Sequence, residues 1–264
     1  MTSAAALAAA EVIGYPIMLK TTAGGGGIGL TRCADAVALA SAYDGVKRMG
    51  EQFFSDAGVF IERFVDQARH VEVQIFGDGQ GRVAALGERD CSLQRRNQKV
   101  VEETPAPNLP QATRERLHAA AIQLGESVSY RSAGTVEFIY DAARDDFYFL
   151  EVNTRLQVEH PVTEMVTGLD LIECMLRVAA GDELDWAALN RAPQGAAIEV
   201  RIYAEDPLKN FQPSPGVLTD VHFPDDVRVD GWVSTGSEVS AFYDPMIAKL
   251  IVLSLIHISE PTRR

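Results

Sequence analysis

Two acids and an amide stand close together near the middle of the chain, where their oxygens could hold a divalent cation. Glu151 and Asn153 lie two residues apart in an extended apolar run, so in a β-strand their side chains leave the same face. Glu137 stands in a second β-rich run, and the polar residues 141–146 between the runs suit a hairpin turn. Mg2+ takes oxygen ligands of this kind and shares them with substrate phosphates. We therefore predict a metal site at this hairpin.

For each of these acids taken singly, the alternative is a solvated side chain on the surface of a strand. The charged residues alternate with Val, Phe and Leu on both runs, which gives the hairpin one apolar face and one carboxylate-lined face. Carboxylates crowded on one face repel each other unless a cation neutralises them. The group of three is therefore stronger evidence for a site than any one member.

Three further polar residues follow directly after the hairpin. Arg155, Gln157 and Glu159 alternate, so we expect them to share one face beyond the metal ligands. A guanidinium and an amide beside a carboxylate suit a small planar oxyanion that must be held and deprotonated. The sequence thus predicts an anion site next to the metal site.

A glycine-rich loop near the amino terminus could bind phosphate. Gly24, Gly25, Gly26 and Gly27 permit backbone conformations closed to other residues, and they expose successive N–H groups to an anion. Lys20 ends the preceding predicted strand, and its ammonium would meet a phosphate there. Taken alone, the loop is explained equally well as a flexible connection, because it has neither the P-loop pattern nor the dinucleotide-binding pattern.

Two other polar segments each allow two explanations. The segment around Gln94 and Lys99 carries many groups of both signs, and it is either a solvated loop with ion pairs or a source of contacts to a ribose or a phosphate. Arg201 is a lone charge in an apolar run, and the alternative to a role in catalysis is a structural ion pair with Glu199 or Glu205.

Hydrophobic periodicity predicts the elements that position these residues. An Ala-rich helix precedes the strand that enters the glycine loop, and the stretch from Leu169 to Ala180 is predicted as a buried helix closed by Gly181. In chain order we expect helices over about 4–13, 34–49, 111–129 and 169–180, and strands over about 16–20, 59–64, 70–76, 83–88, 134–140 and 147–152.

Length and composition bound the class of protein. The 264 residues are 47% hydrophobic and 23% charged, as expected of a globular protein with one large domain or two smaller ones. The formal net charge of -13 argues against nucleic acid as a partner, although a nucleotide needs only a local site. The three cysteines form no Cys-x-x-Cys pair, and neither a signal peptide nor a membrane-spanning run is found, which predicts a cytoplasmic protein without a membrane partner.

These motifs together resemble the biotin carboxylase family, whose members are ATP-grasp enzymes. The resemblance runs in order from about Glu11 to Val252. It is carried by Lys20 with the glycine loop and by the segments 69–74, 88–96, 99–103, 151–165 and 243–249. Within the family, Asn97 and the segments 204–215 and 230–240 are most similar to the biotin carboxylase part of urea carboxylases, also called urea amidolyases.

The resemblance implies an α+β fold with an ATP-grasp core. Residues 1–64 would form a glycine-loop lid, and residues 65–192 a larger antiparallel sheet with helices. Residues 193–252 would be part of a β-rich C-terminal domain, and residues 253–264 resemble nothing in the family and are expected to be non-native sequence. A nucleotide-binding-type domain that precedes these motifs in the family is missing, so we expect the chain to be a fragment.

The resemblance also implies a role for each polar residue. Glu159 would deprotonate bicarbonate for attack on the γ-phosphate of ATP, and the resulting carboxyphosphate would break down to CO2 and phosphate. That phosphate would remove the ureido proton of biotin, and Arg201 would stabilise the enolate. The binding residues would be Lys20, Gly24 to Gly27, Glu62, Arg63, Val65, His70, Gln94 and Lys99 for ATP, Glu137, Glu151 and Asn153 for Mg2+ or Mn2+, and Arg155, Gln157 and the backbone of Val158 for bicarbonate.

The implied function is ATP- and bicarbonate-dependent carboxylation of biotin. No biotinylation motif occurs in the chain, so biotin would arrive on a separate carrier domain, and a carboxyltransferase domain elsewhere would choose the acceptor. A homodimer is a family expectation.

Three alternatives stay open. The chain could be a truncated, inactive nucleotide-binding module, or the biotin carboxylase of an acyl-CoA or guanidine carboxylase. Another ATP-grasp ligase would share the metal ligands, but it has no reason to carry the run from Arg155 to His160.

Overall fold

The computed structural model describes residues 2–23 and 29–254. Helices combine with antiparallel sheets, which confirms the expected α+β class. The chain divides after Gln67 into two compact units, close to the limit predicted after residue 64. None of the helices in the described ranges is long and apolar enough to cross a bilayer. Gly24 to Gly27 of the predicted phosphate loop, and the last ten residues of the predicted non-native tail, lie outside the described residues.

The amino-terminal unit is a three-stranded antiparallel sheet with two helices. Its sheet has the order β2-β1-β3, and Ile17 and Leu19 of β1 are fully buried against Leu39 and Val46 of the second helix. Lys20 follows Leu19 and so lies on the opposite face of β1. The elements are α1 (Ser3–Ile13), β1 (Ile17–Thr21), β2 (Leu30–Cys33), α2 (Ala36–Phe54) and β3 (Val59–Arg63).

The second unit is built on an eight-stranded antiparallel sheet with the order β13-β15-β9-β6-β5-β4-β7-β8. Its strands are β4 (Ala68–Asp78), β5 (Val83–Arg95), β6 (Gln98–Thr104), β7 (Arg131–Asp141), β8 (Asp146–Asn153), β9 (Ala196–Tyr203), β10 (Glu205–Asp206), β11 (Gln212–Pro213), β12 (Gly216–Val217), β13 (Arg228–Gly231), β14 (Glu238–Val239) and β15 (Met246–Ser254). Its helices are α3 (Gln111–Ser127), α4 (His160–Thr167), α5 (Leu171–Ala180) and α6 (Trp186–Leu189), with a 3-10 turn at Pro207–Lys209.

Helix α3 packs its predicted apolar stripe on the sheet. Leu117 and Ala121 are fully buried in a cluster with Val73, Val136 and Phe138. In a second cluster, α4 places Val162 and Val166 on residues of β9 and β15. Two hydrophobic clusters, one under α3 and one under α4, therefore support the sheet that carries the polar residues.

One of the two explanations of the segment around Gln94 is wrong. Residues 88–103 are not a solvated loop, because β5 continues to Arg95 and β6 begins at Gln98. Arg89 and Glu102 are fully buried in these strands. A polar composition predicts exposure to solvent only when the charged groups have no partners on neighbouring strands. The charged groups of this segment have such partners.

The helix predicted over residues 169–180 is present as α5, and Gly181 ends it in the left-handed conformation as expected. Its burial was predicted wrongly, because Leu171 and Val178 are buried whereas Ile172 and Leu176 are more than half exposed. The limit predicted between residues 192 and 193 lies between α6 and β9, and the eight-stranded sheet includes strands from both sides of it.

A buried ion network attaches α3 to the sheet. Glu88 of β5, 2% exposed, accepts hydrogen bonds from Arg114 Nε (2.7 Å), His118 Nε2 (2.8 Å) and Ala106 N (3.0 Å). Burial alone would raise the pKa of Glu88, but the bonds from His118 and Arg114 outweigh burial and lower the pKa. The carboxylate therefore stabilises the fold above its unfolded pKa, and this contribution is lost as the pH falls through the folded pKa.

We expect Glu88→Gln to lower the free energy of unfolding at pH 7 by about 1.5–3 kcal/mol, the value of hydrogen bonds to a charged group. The difference from wild type should shrink below pH 4.5, because the carboxyl of the unfolded chain then takes up a proton, whereas the folded carboxylate with its lowered pKa does so only at a lower pH. Urea denaturation at pH 7 and pH 3.5 measures both. Glu115→Gln on the exposed face of α3 is the control and should change the stability by less than about 0.5 kcal/mol. Equal losses in the two variants would contradict the assignment.

Candidate active site

The predicted hairpin of β7 and β8 is present and places the three candidate metal ligands together. Glu137 lies opposite Glu151 in the strand register, and Asn153 lies opposite Thr135. Asn153 Nδ2 is 2.9 Å from Glu137 Oε1 and 3.5 Å from Glu151 Oε1. The two carboxylates and the amide therefore point to the same side of the hairpin.

This group has donor atoms that fit a hard cation. Glu137 is 4% exposed whereas Glu151 is exposed, so a cation could enter from the Glu151 side. Asn153 Oδ1 faces the guanidinium of Arg155 at 3.5 Å, and a half-turn of the amide would present this oxygen to a cation beside the carboxylates. Three oxygen ligands from the protein leave room for the phosphate oxygens and waters that Mg2+ keeps.

Glu137 also receives donors from other strands. Lys99 Nζ, Gln157 Nε2 and His70 Nε2 each lie 2.9 Å from its carboxylate. Burial would raise the pKa of Glu137, but His70 and Lys99 outweigh burial and hold the pKa at about 2. Burial likewise would lower the pKa of His70, and the bonds to Glu137 and Glu72 raise it to about 9. The two groups are thus held as an ion pair at neutral pH.

Lys99 is the cation at the centre of the site. Its Nζ lies 2.6 Å from Glu72, 2.9 Å from Glu137 and 2.6 Å from Glu159. Burial would lower the pKa of Lys99, but these carboxylates raise it well above its usual value. A fixed positive charge therefore lies between the candidate metal ligands and the candidate base.

Arg201 contacts the candidate base from the other side. Its terminal nitrogen lies 3.0 Å from Glu159 Oε2, and its Nε donates to Glu102 Oε1 at 2.7 Å. The alternative explanation of Arg201, an ion pair with Glu199 or Glu205, is therefore wrong. Glu199 shares a strand face with Arg201 but does not contact it, and Glu205 pairs with Arg95 instead.

The expectation that Arg155, Gln157 and Glu159 share one face is also wrong. Strand β8 ends at Asn153, and the chain then turns into α4, which begins at His160 with Pro161 in its first turn. Gln157 and Glu159 are buried in the site, whereas Arg155 is exposed.

The backbone of Val158 lies between these two buried side chains. Its carbonyl accepts a hydrogen bond from Lys249 Nζ at 2.8 Å. The carbonyl is thus already bonded, and the amide N–H is the backbone group of Val158 that can bind an anion.

The candidate nucleotide-binding residues fall into two groups. In the second unit, Gln94 Nε2 lies 3.0 Å from His70 Nδ1 and stands opposite Lys99 in the β5–β6 register, so these three belong to the site. In the amino-terminal unit, Lys20 Nζ lies 2.5 Å from Glu62 Oε2. In the same unit Arg63 donates to the carbonyl of Ile13, and Val65 is half-buried.

Sequence reasoning assigned no role to Arg89 and Glu72. Arg89, 0% exposed, donates to Glu72 Oε1 at 2.6 Å, to Gln74 Oε1 at 2.7 Å and to Thr163 Oγ1 at 2.9 Å. Glu72 is fully buried and lies opposite Arg89 on β5 and Glu137 on β7. The signal was the alternation of His70, Glu72 and Gln74 along β4, which gives that strand one polar face inside the molecule.

Comparison with known proteins agrees with this geometry. A family model described as the ATP-binding domain of the carbamoyl-phosphate synthase L chain matches residues 1–187, and one described as the biotin carboxylase C-terminal domain matches residues 199–256. The urea amidolyase of Lachancea kluyveri is 60% identical over 243 residues, which are 92% of this chain and 13% of that protein. Biotin carboxylase 2 of Bacillus subtilis is 51% identical over 250 residues, 94% of this chain and 56% of that protein.

Solved structures show the same relationship. The biotin carboxylase domain dimer of the Hydrogenobacter thermophilus 2-oxoglutarate carboxylase, in complex with MgADP, ADP and bicarbonate, matches with a TM-score of 0.88 at 40% identity. The match covers 97% of this chain and 56% of that chain. The chain thus spans little more than half of the shorter relatives and about an eighth of the urea amidolyase. It belongs to the biotin carboxylase family of ATP-dependent ligases.

Proposed function

We propose that this chain is the biotin carboxylase segment of a urea carboxylase-like enzyme and carries out ATP- and bicarbonate-dependent carboxylation of biotin. The observation that best supports this is the Glu159 carboxylate, which lies 2.6 Å from Lys99 and 3.0 Å from Arg201. A carboxylate with a cation on each side, next to a group of oxygen ligands, suits deprotonation of a small anion beside a phosphate.

Bicarbonate would be held by Arg155, Gln157 and the amide of Val158. Among the residues that the structure describes, no carboxylate pairs with Arg155, which donates to the carbonyl of Leu156 and to Asn153. Its charge is therefore available to an incoming anion. Gln157 is buried and donates a hydrogen bond to Glu137 at 2.9 Å, and its amide would orient the anion.

Glu159 would take the proton of bicarbonate. The hydroxyl proton of bicarbonate must be removed before one of its oxygens attacks the γ-phosphate of ATP. Lys99 would lie between the two reacting anions and reduce their repulsion, because it faces both Glu137 and Glu159. The product of this step would be carboxyphosphate, with ADP as the leaving group.

The phosphates of ATP would lie above the β7–β8 hairpin. Glu137, Glu151 and Asn153 would hold Mg2+ or Mn2+, which supplies charge neutralisation of the transferring phosphoryl group. His70, Gln94 and Lys99 would contact the nucleotide from the second unit. The resemblance further implies ATP-binding roles for Lys20, Gly24 to Gly27, Glu62, Arg63 and Val65, and we propose these roles as well.

Biotin would be the acceptor and would arrive on a carrier domain outside this chain. Carboxyphosphate breaks down to CO2 and phosphate, and the phosphate would remove the ureido proton. Arg201 carries its charge next to Glu159, in a position to stabilise the negative charge that develops on the acceptor. We also propose a cytoplasmic location, a homodimer and a carboxyltransferase partner elsewhere in the whole protein.

A calorimetric titration tests the first step. Replacing both Glu137 and Glu151 by Gln should weaken the binding of MgATP by more than about 100-fold, because even outer-shell partners of a metal cost 10- to 100-fold in affinity. Glu115→Gln on α3 is the matched control and should bind MgATP as wild type does.

The proposal is supported if the wild-type chain binds MgATP and releases phosphate only when bicarbonate is present. A folded chain that binds no MgATP supports the alternative of an inactive nucleotide-binding module.

The urea carboxylase subtype is supported by the higher identity to the urea amidolyase, 60% against 51% for the bacterial biotin carboxylase. Carrier domains from these two relatives discriminate the acceptor systems. We expect the chain to carboxylate the urea amidolyase carrier with the higher kcat/KM, and a preference for the bacterial carrier would contradict the subtype.

A further inference from the structure

Two buried acids face each other beside the proposed site, and the proposed mechanism uses neither. Glu102 of β6 lies opposite Glu199 of β9 in antiparallel register, and both side chains are 0% exposed. Opposite residues of an antiparallel pair leave the same face with their Cβ atoms about 4.5–5.5 Å apart. The two side chains are therefore neighbours on one face of the sheet, and burial together with the charge of Glu102 raises the pKa of Glu199.

Few donors reach this pair. Glu102 Oε1 accepts from Arg201 Nε at 2.7 Å, but Glu102 Oε2 and both oxygens of Glu199 have no hydrogen-bond partner in the described chain. Lys249 of β15 is engaged elsewhere, with the carbonyl of Val158 at 2.8 Å and with Asp230 at 3.6 Å. The charged groups that act on the pair are Arg201, Lys249, Glu159 and Glu72. Asp230 on β13, Lys99 on β6, Arg89 on β5, and His160 and Glu164 on α4 lie on the neighbouring elements.

Two carboxylates next to each other in a buried site cannot both stay ionised without a matching positive charge. Arg201 contacts Glu102 of the pair, but it also neutralises Glu159. Burial raises the pKa of Glu199 to about 8, against the opposing effect of Lys249. Burial also raises the pKa of Glu102 to about 7, against the effect of Arg201. The pair therefore binds protons more tightly than ordinary glutamates do.

We propose that Glu102 and Glu199 share one proton at neutral pH and act as positioning residues, which hold Arg201 against Glu159. This inference rests on the proposed function of Arg201 and Glu159. With one proton on the pair, Arg201 faces one negative charge there and the single negative charge of Glu159. A second negative charge on the pair would draw Arg201 away from Glu159.

The shared proton predicts a pH dependence of kcat/KM that Glu199→Gln shifts to higher pH. Above pH 8 the pair of the wild-type chain loses its proton, so kcat/KM for bicarbonate should fall as the pH rises. In Glu199→Gln the amide cannot ionise, and the fall should move to higher pH while the rate at pH 7 stays close to wild type. A purely structural role would change the rate at all pH values alike.

Infrared spectroscopy of the purified chain tests the shared proton without any turnover. The wild-type chain should show a protonated-carboxyl C=O band at pH 7.5 that disappears by pH 10, and Glu199→Gln should lose most of this band at pH 7.5, because the remaining Glu102 has a pKa of about 7 and is then mostly ionised. Glu88→Gln is the matched control: Glu88 is equally buried but paired with two cations, so this variant should keep the band. No titrating band in the wild-type chain, or the same band in Glu199→Gln, would overturn the inference.

The wild-type titration needs no variant, so it decides the matter even if Glu199→Gln does not fold. Failure of the proposed function has a different signature. If the chain shows no bicarbonate-dependent ATP hydrolysis but its carboxyl band titrates and is lost in Glu199→Gln, the shared proton stands and the catalytic assignment falls.

Discussion

Glu159→Gln is expected to reduce bicarbonate-dependent ATP hydrolysis by about 10²- to 10⁴-fold, the contribution of a positioned general base. The amide keeps the size of the side chain, and its one oxygen can still accept a hydrogen bond from Lys99 or from Arg201, which lie 2.6 and 3.0 Å from the two oxygens of the carboxylate. It cannot take the proton of bicarbonate. Phosphate release with and without bicarbonate measures the effect, and calorimetry should show that MgATP still binds.

Two outcomes would contradict the role of Glu159 as the base. An unchanged rate would mean that the proton leaves by another route. A loss of MgATP binding in parallel with the rate would mean that Glu159 supports the nucleotide site rather than the proton transfer. Glu164→Gln is the matched control. Glu164 lies in α4 and is also buried, but it binds Arg228 and the amide of Leu171 outside the site.

Arg89→Met should lower the free energy of unfolding by about 3–5 kcal/mol, because removing one partner of a buried pair leaves the Glu72 carboxylate without its guanidinium. Arg89 is 0% exposed, and it joins three strands of the sheet to α4 through Glu72, Gln74, Thr135 and Thr163. Methionine has a similar length but no donor, so these acceptors lose their partner together. Urea denaturation at pH 7 measures the loss.

The double variant Arg89→Met/Glu72→Gln separates charge from packing. We expect it to be more stable than Arg89→Met alone, since it buries no unpaired carboxylate. Arg116→Met is the control, because the Arg116–Asp146 pair is about half exposed and should be worth less than about 1 kcal/mol. A loss in Arg89→Met as small as in this control would refute the importance of the buried pair.

The part of the site on the β7–β8 hairpin could be predicted because its signal is local. Glu137 and Glu151 lie in neighbouring alternating runs with a polar turn between them, and in this geometry a period of two fixes which side chains share a face. The same argument placed the hairpin of β4 and β5. Such pairings need only the sequence of the two strands and of the turn.

The contacts that complete the site are distant in sequence and could not be predicted in this way. Arg201 meets Glu102 across 99 residues, and Arg89 meets Thr163 across 74. No local pattern shows which of the many charged residues will be brought together. Solvation therefore stands as an alternative explanation for any polar residue in a strand, although here the partners on other strands replace the water.

Alternation over a few residues misled the interpretation of Arg155 to Glu159. Three polar residues at a period of two fit a strand, but the same spacing occurs where a chain leaves a sheet and approaches a helix. Pro161 was the available signal, since proline is favoured in the first turn of a helix. It predicts a helix start at this point and excludes a continuous strand.

Two of the three candidate metal ligands lie on β8, which in the described chain is the outermost strand of the large sheet, whereas Glu137 lies one strand further in. An edge strand opens by local unfolding at a lower free energy than an interior strand, because it has neighbours on one side only. A cation bound by both strands would be released whenever β8 opens, and by linkage it would hold β8 closed. The affinity for the metal nucleotide and the order of this sheet edge are thus two measures of one equilibrium.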